Sequence, residues 1–502
     1  MSNQNDKAVE CNPNKKKKDL YYVHTAIGLA ITALFWIMPP IDPITPVGMR
    51  CVGAFLGMVY MWSMVDVLWP SLFGLFMLGI SGIDPAGSNS VWLNAVGNYT
   101  VLLTMFAMTL FGAVHEVGDT MYIARWFLTK QIFKNRPYVF IAVFYACCGV
   151  LSALVSPITS LIILWPVALS LTKALNIDRC DKIWPFFFVG MFLVSTLMQP
   201  FFPFMGAQLV PLSAFQGMTA QMFGEAMQVP MAQYMAVNLI MTIIIMAIFI
   251  LGIKLLRVDV SKLKAVDPAM MEKQFDLPPM NKGQKAYLIM SPIYLLTLLV
   301  PNFIKGNPVC DFINGIGPLG VTVAFVIAFL VIKIDGKPLL DFKEMAYRQM
   351  NWGIFFMIAA AVYGANTLSN ASTGVTAFLL QVLNPILGGQ SEMGFIAIMF
   401  LVALVITNFA NNAAMAVVLM PVVLSFSTQL GINPIPVAMG VTLMVFVAML
   451  TPAASPHGGM MHGRKDIYST GEILKIGLPM CLITWALYVF IGYPMMKLLL
   501  GV

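Results

Sequence analysis

Polar residues interrupt two of the longest apolar stretches of the sequence in the same pattern. Each stretch carries two hydroxyl or amide residues four positions apart, and a proline follows ten positions after the second. These residues are Ser152, Ser156 and Pro166 in the stretch 137–172, and Thr407, Asn411 and Pro421 in the stretch 393–428. Such residues also occur in ordinary membrane helices, where they kink the chain or bond locally, so a single interruption would mean little. The matched spacing favours an internal repeat.

A second polar break follows each stretch, at residues 199–203 and 451–457. A helix broken at membrane depth must lie inside protein or line a wet cavity, because lipid does not tolerate unsatisfied backbone groups. None of the four breaks contains Asp, Glu, Lys or Arg. Helix N-termini would supply partial positive charge for an anion, and hydroxyl, amide and carbonyl oxygens suit a cation such as sodium. The breaks predict an uncharged site for an anion and a cation.

The composition indicates what surrounds these breaks. The chain has 502 residues, of which 59% are hydrophobic and 10% charged, and its mean hydropathy is +0.83. Soluble domains carry roughly 25% charged residues. This deficit excludes a soluble enzyme, a nucleic-acid-binding protein and a disordered scaffold. Apolar stretches near the ~20 residues that cross a bilayer recur along the chain, which indicates a polytopic protein of the lipid bilayer.

We expect an all-α membrane protein with about eleven spanning helices and two re-entrant hairpins, at 137–172 and 393–428. The predicted spans are 20–38, 47–63, 67–82, 98–118, 184–212, 231–253, 286–302, 316–333, 350–364, 435–461 and 473–498. The chain then divides into a cytoplasmic tail at 1–19, a first repeat at 20–253, a cytoplasmic linker at 254–285 and a second repeat at 286–502. Hairpins that open to opposite sides make the repeats inverted, and such repeats meet at a midplane site.

The basic residues predict how the spans are oriented. With a cytoplasmic N-terminus, all of the 29 Lys and Arg residues except Arg50, Lys305 and Lys497 fall in cytoplasmic segments. Cytoplasmic loops of membrane proteins carry such an excess of positive charge. We therefore expect a multi-pass protein of the cell (inner) membrane, with its N-terminus cytoplasmic and its C-terminus outside.

At these residues the chain resembles the divalent anion–sodium symporter family, solute carrier family 13. The resemblance covers most of the chain, and its marks are Asn411-Asn412-Ala413 at the hairpin tip, Thr451-Pro452 in the break, and the segments 43–48 and 69–72. Members of that family are dimeric elevator transporters of dicarboxylates, citrate or sulfate. The resemblance implies a homodimer that moves a C4-dicarboxylate or tricarboxylate, with sodium as the coupled ion.

The resemblance also implies two groups of ligands. The substrate ligands are expected to be Ser156, Thr159, Asn411, Asn412, Thr451, Pro452 and Ser455. The sodium ligands are expected to be Ser152, Ser156, Thr407, Ala410 and Asn412, with a further carbonyl near Ala453 and Ala454. The first half departs from the family pattern, because Pro157 and Ile158 stand where Asn and Thr are usual and Phe202 stands where Gly is usual. Fewer coupled cations, or exchange of one anion for another, would fit these departures.

Two other classes of function meet obstacles in the sequence. A proton-coupled antiporter needs a titrating carboxylate at membrane depth, and neither the hairpins nor the breaks contain one. An intramembrane hydrolase using Ser156 or Ser455 needs a base and a group that orients it. His457 is the one candidate base in the breaks, and no acid accompanies it. The sequence therefore does not favour an enzyme.

Acidic residues near the ends of the spans have structural interpretations. Asp66 follows the second span, and we expect it to cap the next helix. Glu116 and Asp119, with His115, end the fourth span, and we expect them to form a charge cluster with Arg125 at the membrane interface.

Overall fold

Helices make up nearly all of the regular structure. The computed structural model describes residues 13–502, apart from positions 117, 205, 276, 303, 305, 349 and 453 and the side chains of residues 13–20, 100, 111, 114, 115 and 302. The first part of the predicted tail 1–19, as well as Lys305, Ala453 and the side chain of His115, thus lies outside the described residues.

In the described part of the chain, eleven α-helices precede the linker region. They are α1 (Pro13–Ile37), α2 (Pro46–Met64), α3 (Leu68–Ile80), α4 (Ser88–Val96), α5 (Tyr99–Glu116), α6 (Asp119–Leu128), α7 (Pro137–Leu154), α8 (Pro157–Ala174), α9 (Ile183–Met198), α10 (Leu209–Phe223) and α11 (Met231–Leu255). The first hairpin of helices, α7 and α8, is broken at Val155 and Ser156, where the polar pattern of the sequence predicted a break.

The remaining α-helices follow α11 along the chain. They are α12 (Pro268–Glu272), α13 (Lys282–Leu299), α14 (Pro308–Val331), α15 (Phe342–Arg348), α16 (Trp352–Ser369), α17 (Val375–Leu387), α18 (Glu392–Thr407), α19 (Asn412–Leu430), α20 (Pro434–Val445), α21 (Pro456–Gly463), α22 (Thr470–Leu487) and α23 (Tyr493–Leu500). A ribbon of two antiparallel strands, β1 (Lys333–Ile334) and β2 (Lys337–Pro338), interrupts them. The prediction of an all-α membrane protein is confirmed.

A polar residue followed by proline begins several of these helices. The pairs are Thr45-Pro46, Ser156-Pro157, Asn307-Pro308, Asn433-Pro434 and Ser455-Pro456. The polar side chain accepts a backbone N–H of the first turn, and proline fits the first helical position because its missing N–H is not needed there. In α2, for example, Thr45 Oγ1 accepts a hydrogen bond from the backbone N–H of Gly48 at 3.1 Å.

The helix lengths agree with a membrane protein. Within the described residues, eight helices are long and apolar enough to cross a membrane, or up to ten if each of two bent helix pairs counts as one span. The predicted number of eleven spans stays a prediction. The short helices that were not predicted include α6 and α17, neither of which reaches the ~20 residues of a span. They begin 37 and 36 positions before Ser156 and Asn411, respectively, and α17 meets α18 at an angle of 109°.

The helices pack into two layers. One, the hairpin layer, consists of α7–α11 and α18–α23, and the other, the scaffold layer, consists of α1–α5, α13, α14 and α16. The layers meet mainly where α10 and α19 pack against α16 and α2. Both hairpins therefore lie on one side of this interface.

Contacts between distant segments join the two halves of the sequence within the hairpin layer. Trp165 Nε1 in α8 donates to the hydroxyl of Tyr468 at 2.9 Å, and that hydroxyl donates to the carbonyl of Phe188 at 3.1 Å. Arg179 forms an ion pair with Glu472 at 3.3 Å. These contacts join the first hairpin and α9 to α22 and the loop before it, and α22 packs against α18 of the second hairpin.

The segment 43–48, one of the marks of the family resemblance, joins the halves within the scaffold layer. The backbone N–H of Thr45 donates to the carbonyl of Thr373 at 3.0 Å, and its hydroxyl donates to the carbonyl of Ser372 at 2.8 Å. A Cβ atom at Gly48 would lie 2.1 Å from the Thr373 carbonyl oxygen. Glycine at position 48 is therefore required by this close backbone contact.

The linker 254–285 is packed against the hairpin layer. Leu263, Met271 and Phe275 are buried. Lys262 pairs with Asp181 at 2.8 Å, and this hydrogen bond lowers the pKa of the Asp181 carboxyl. Its contacts thus anchor the linker to the loop between α8 and α9.

Both interpretations of the acidic residues near the span ends were wrong. Val67, without a side-chain cap, precedes α3, and Asp66 Oδ1 accepts a hydrogen bond from the backbone N–H of Val67. The expected charge cluster separates into an Arg125–Glu272 pair and an Arg348–Glu116 pair. The carboxylate of Asp119 is fully buried and has no hydrogen-bond partner among the described residues, and burial raises its pKa to about 6.

Replacement of Gly190 by Ala tests the packing of α7, α9 and α11. An added Cβ would lie 2.2 Å from Tyr145 Oη and 2.7 Å from a ring carbon of Phe249, and both side chains are buried. We expect Gly190→Ala to destabilise the protein by about 1–3 kcal/mol, because overpacking forces side chains off their preferred rotamers. Thermal unfolding of the purified protein in detergent measures the effect.

Gly252→Ala in α11 is the matched control. An added Cβ there meets no atom within 4 Å. Since alanine is the better helix former by up to about 1 kcal/mol, this variant is expected to unfold at the same or a higher temperature. If both variants unfolded at the temperature of the unsubstituted protein, the close packing at Gly190 would be contradicted.

Candidate functional site

A cavity of about 580 Å³ lies where the breaks of the two halves meet. Its wall includes Ser156 from the first hairpin, Asn411 and Asn412 from the second, and Ser455 and His457 from the last break. Ser156 and Asn411, which are 255 positions apart in the sequence, thus face one space. The cavity is the place where an anion or a cation can contact both hairpins.

Of the helices that begin at the cavity wall, three belong to the hairpin layer. Ser156 Oγ accepts the backbone N–H of Thr159 at 3.1 Å at the start of α8, and Asn411 Oδ1 accepts that of Ala414 at 3.1 Å at the start of α19. Ser455 Oγ accepts the N–H of Gly458 at 2.9 Å at the start of α21. Each helix N-terminus contributes roughly half a positive charge. The three together favour an anion in the cavity.

The serine caps share one local conformation. Ser156 has φ −173° and ψ 159°, and Ser455 has φ −165° and ψ 162°. Both precede a proline at the first helical position. The repeated Ser-Pro pair is thus a sequence signal for these two helix starts. The prediction from the hairpin spacing did not use this signal.

Oxygen atoms converge around Thr407, next to the cavity. Its buried hydroxyl donates to Asn412 Oδ1 at 2.9 Å and also lies within hydrogen-bond distance of the Val445 carbonyl. A hydroxyl carries one proton and two acceptor lone pairs. One proton cannot form a full hydrogen bond with both acceptors. A small cation between these three oxygens would be coordinated by all of them. The donor set therefore fits sodium in the second half.

The corresponding serine of the first half has a similar contact. Ser152 Oγ donates to the carbonyl of Ser195 at 2.5 Å. Ser160 Oγ lies nearby, 2.8 Å from the Cys148 carbonyl and 3.5 Å from Ser195 Oγ. In both halves, the polar residue four positions before the hairpin tip thus bonds to a carbonyl of the helix behind it.

Asn408 binds the backbone at the start of the break 451–457, a role that the sequence analysis did not assign. Its Oδ1 accepts the backbone N–H groups of Met449 at 3.1 Å and Leu450 at 2.8 Å. Its carbonyl accepts the hydroxyl of Thr451. The side chain thus satisfies backbone groups that the unwound segment leaves free. In the first break, Gln208 Nε2 donates to the Phe202 carbonyl at 2.6 Å.

The cavity contains some of the predicted ligands and not others. The predicted residues that line it are Ser156, Asn411, Asn412, Pro452, Ala454 and Ser455. Thr159, Thr451, Ser152, Thr407 and Ala410 are not lining residues, and Ala453 is outside the described residues. The hydroxyls of Thr159 and Thr451 bond to Ser156 Oγ and to the Asn408 carbonyl instead. Phe202 packs against Phe201, with ring centres 4.7 Å apart, and Pro157 and Ile158 line the cavity.

The scaffold layer supplies the opposite wall, which the sequence analysis missed. This wall includes Ser63, Asp66 and Asn351. The backbone N–H of Asn411 donates to Ser63 Oγ at 3.3 Å, so that the second hairpin tip contacts the end of α2. No sequence spacing relates these loops to the hairpins, because they come together only through the packing of the layers.

The geometry does not provide a hydrolase. The hydroxyls of Ser156 and Ser455 cap helices, and neither bonds to a histidine among the described residues. The buried ring of His457 packs against Phe192, with ring centres 5.4 Å apart. A nucleophile needs a base within hydrogen-bond reach, and that arrangement is not found in the described part of the chain.

Known proteins share this fold and sequence pattern. A family model described as citrate transporter matches residues 20–444. The uncharacterized transporter YfbS of Escherichia coli (strain K12) is 30% identical over 167 residues, which are 33% of this chain and 26% of YfbS. The match thus spans about a quarter of the length of that relative. The sodium-dependent dicarboxylate transporter SdcS of Staphylococcus saprophyticus is 19% identical over 97% of this chain and 95% of its own.

Among solved structures, the YdaH transporter of Alcanivorax borkumensis matches with a TM-score of 0.58 and 14% identity, over 97% of this chain and 98% of that one. At this identity the likeness concerns the fold. The family model covers most of the chain, and the resemblance drawn from the hairpin residues is confirmed at that level. The proteins matched are transporters and not enzymes. The chain belongs to the citrate transporter family.

Proposed function

We propose that the protein is a secondary active transporter of a divalent organic anion, a C4-dicarboxylate or a tricarboxylate, coupled to sodium. The observation that carries the proposal is the convergence of three helix N-termini, those of α8, α19 and α21, on one cavity between the hairpins. Backbone N–H groups and helix dipoles are suited to carboxylates. A cavity of about 580 Å³ has room for an anion of this size.

The charge balance of the lining supports coupling to a cation. Among the described residues, no Lys or Arg lines the cavity. The partial charges of helix termini do not neutralise a dianion completely, so a cation bound beside it would lower the cost of moving it. The oxygens around Thr407 and Asn412 suit sodium, and the relative SdcS is named for sodium-dependent dicarboxylate transport. In this proposal sodium is carried with the anion as a second substrate.

An elevator motion of the hairpin layer is the proposed route of alternating access. The contacts of Ser152 with the Ser195 carbonyl and of Thr407 with the Val445 carbonyl support an inverted repeat. The Trp165–Tyr468 and Arg179–Glu472 contacts tie the first hairpin and the loop after it to α22 and the loop before it, and α22 packs against α18 of the second hairpin. Helices joined in this way are suited to moving as a body against the scaffold layer.

The predicted topology is part of this proposal. It comprises a cytoplasmic tail at 1–19, repeats at 20–253 and 286–502 and a cytoplasmic linker at 254–285, with the C-terminus outside the inner membrane. The distribution of Lys and Arg supports it. A homodimer is proposed on the family resemblance.

Exchange of one anion for another is the second candidate. It is favoured by Pro157 and Ile158, which line the cavity at the first hairpin tip and offer no side-chain oxygen for a cation. One sodium site, in the second half, or none would then accompany the anion.

Uptake into proteoliposomes tests the proposal. Labelled succinate, malate, citrate, sulfate and tartrate are offered with a sodium gradient, a potassium gradient or an internal counter-anion. We expect a sodium gradient to drive uptake of a dicarboxylate or a tricarboxylate. Uptake driven by the counter-anion alone would support exchange. If no anion of the panel moves under any gradient, the proposal fails.

Replacement of Asn412 by Ala tests the sodium site. The variant removes one of the three converging oxygens, and we expect the half-saturating sodium concentration of uptake to rise roughly tenfold or more, as for other disturbed metal sites. The control is Ser425→Ala in the same helix, since the buried Ser425 hydroxyl has no partner among the described residues. Unchanged sodium dependence in Asn412→Ala would count against the site.

A disulfide between α10 and α16 tests the elevator motion. A Cβ at Gly217 would lie 2.8 Å from Asn366 Cγ, so that Gly217→Cys with Asn366→Cys brings two thiols within bonding range. The background replaces Cys11 and the exposed Cys180 by serine. Oxidation is expected to abolish uptake and a reductant to restore it, because α10 can then no longer slide past α16.

The two single-cysteine variants serve as controls and should transport under both conditions. Full uptake by the oxidised double variant, with the disulfide verified by mass spectrometry, would show that α10 does not move past α16.

A further inference from the structure

The two walls of the cavity differ in charge. The hairpin wall contains the N-termini of α8, α19 and α21. On the scaffold wall, Asp66 is the one acidic residue among the described lining residues. Its side chain is exposed, forms no ion pair within the described structure, and accepts one hydrogen bond, from the backbone N–H of Val67 at 2.7 Å. A full negative charge therefore faces the place where the proposed anion lies.

The helix ends on the scaffold wall do not cancel this charge. The C-terminus of α2 and the N-termini of α3 and α16 lie at this wall. Gly353 of α16 packs against Val67, since a Cβ added at Gly353 would lie only 2.7 Å from Val67 Cγ2. Each helix end contributes roughly half a charge. One negative and two positive ends leave a small positive balance, and Asp66 makes the scaffold wall net negative. Without Asp66, the scaffold wall would attract an anion.

We propose that Asp66 repels the bound dianion and so promotes its release on the cytoplasmic side of the membrane. The inference deepens the proposed transport function and rests on it. Asp66 belongs to the turn between α2 and α3, which the proposed topology places on the cytoplasmic side. Its charge acts on the anion only while the hairpins lie beside this turn.

The consequence is a difference in affinity between the two sides of the membrane. When the hairpin layer moves outward, the N-termini of α8, α19 and α21 move with it, and Asp66 stays with the scaffold layer. The outward-facing site keeps its attractive wall and loses the repulsive one. The anion is then bound more tightly from outside than from the cytoplasm.

The magnitude follows from Coulomb's law. In water of low ionic strength, a unit charge roughly 8 Å from a dianion lowers the affinity for the dianion about fivefold, and screening at physiological ionic strength reduces this to about twofold. Salt weakens the effect, because the Debye length at physiological ionic strength is also about 8 Å. The repulsion thus changes the affinity without preventing binding.

Sided transport measurements with Asp66→Asn test the inference. Uptake of radiolabelled succinate and citrate is measured in inside-out vesicles, which present the cytoplasmic face, and in right-side-out vesicles. We expect the half-saturating concentration at the cytoplasmic face to fall about fivefold at low ionic strength and about twofold at physiological ionic strength. At the outer face it should stay unchanged, and at high salt the substitution should have no effect on it. Asp66→Glu keeps the charge and should behave as the unsubstituted protein.

Asn351→Asp provides the opposite change on the same wall. Asn351 lines the cavity and caps α16, its Oδ1 accepting the N–H of Ile354 at 3.0 Å, and Asp caps a helix equally well. This variant should raise the half-saturating concentration at the cytoplasmic face, and it tests the inference even if Asp66→Asn does not fold. Asp311→Asn, on α14 away from the cavity, is the neutralisation control.

Four outcomes would overturn the inference. They are an unchanged cytoplasmic half-saturation in Asp66→Asn, an equal shift at both faces, a fall for Asp66→Glu equal to that for Asp66→Asn, and no rise for Asn351→Asp. If the unsubstituted protein transports no anion of the uptake panel under any gradient, the proposed function fails and the inference fails with it. Transport by the unsubstituted protein without a sided effect of Asp66 leaves the proposed function standing and removes the inference alone.

Discussion

The structure depends on satisfying the backbone groups of helices that are broken within the membrane-spanning part of the protein. In lipid each free N–H or C=O would cost several kcal/mol. Ser156, Asn411 and Ser455 cap the helices that start at the breaks. Asn408 binds the unwound segment before α21, and Gln208 binds the one after α9. Because these side chains supply the missing partners, the chain can hold a polar cavity among apolar helices.

The sequence predicted the parts of this arrangement that depend on local patterns. Prolines and hydroxyl residues at matched spacings located both hairpin tips, and Ser156 and Asn411 do face one cavity. The scaffold wall could not be predicted, because Ser63 and Asn351 reach the cavity only through the packing of the layers. Thr451 was expected at the cavity, but the carbonyl of Asn408 takes its hydroxyl.

The helix boundaries show the same distinction. The helices long and apolar enough to cross a membrane were recognisable from their length and composition, whereas α6 and α17 are too short for that signal. Their equivalent positions before the two hairpins became visible only when the helices were placed. The linker likewise reads as polar in sequence, yet its few apolar residues, among them Leu263 and Phe275, are buried. Composition averages over a segment, and packing depends on single residues within it.

The bonds that join the two halves also impose a waiting time on the nascent chain. Trp165 and Tyr468 are 303 positions apart, and a ribosome adds about 5–20 residues per second. The first hairpin is therefore synthesised roughly 15–60 s before Tyr468, whose hydroxyl accepts the hydrogen bond from the Trp165 indole. During that interval, the insertion machinery, water or a neighbouring copy must provide contacts for the polar tip of the first hairpin. Biogenesis, as much as the finished fold, constrains the polarity that the first hairpin tip can carry.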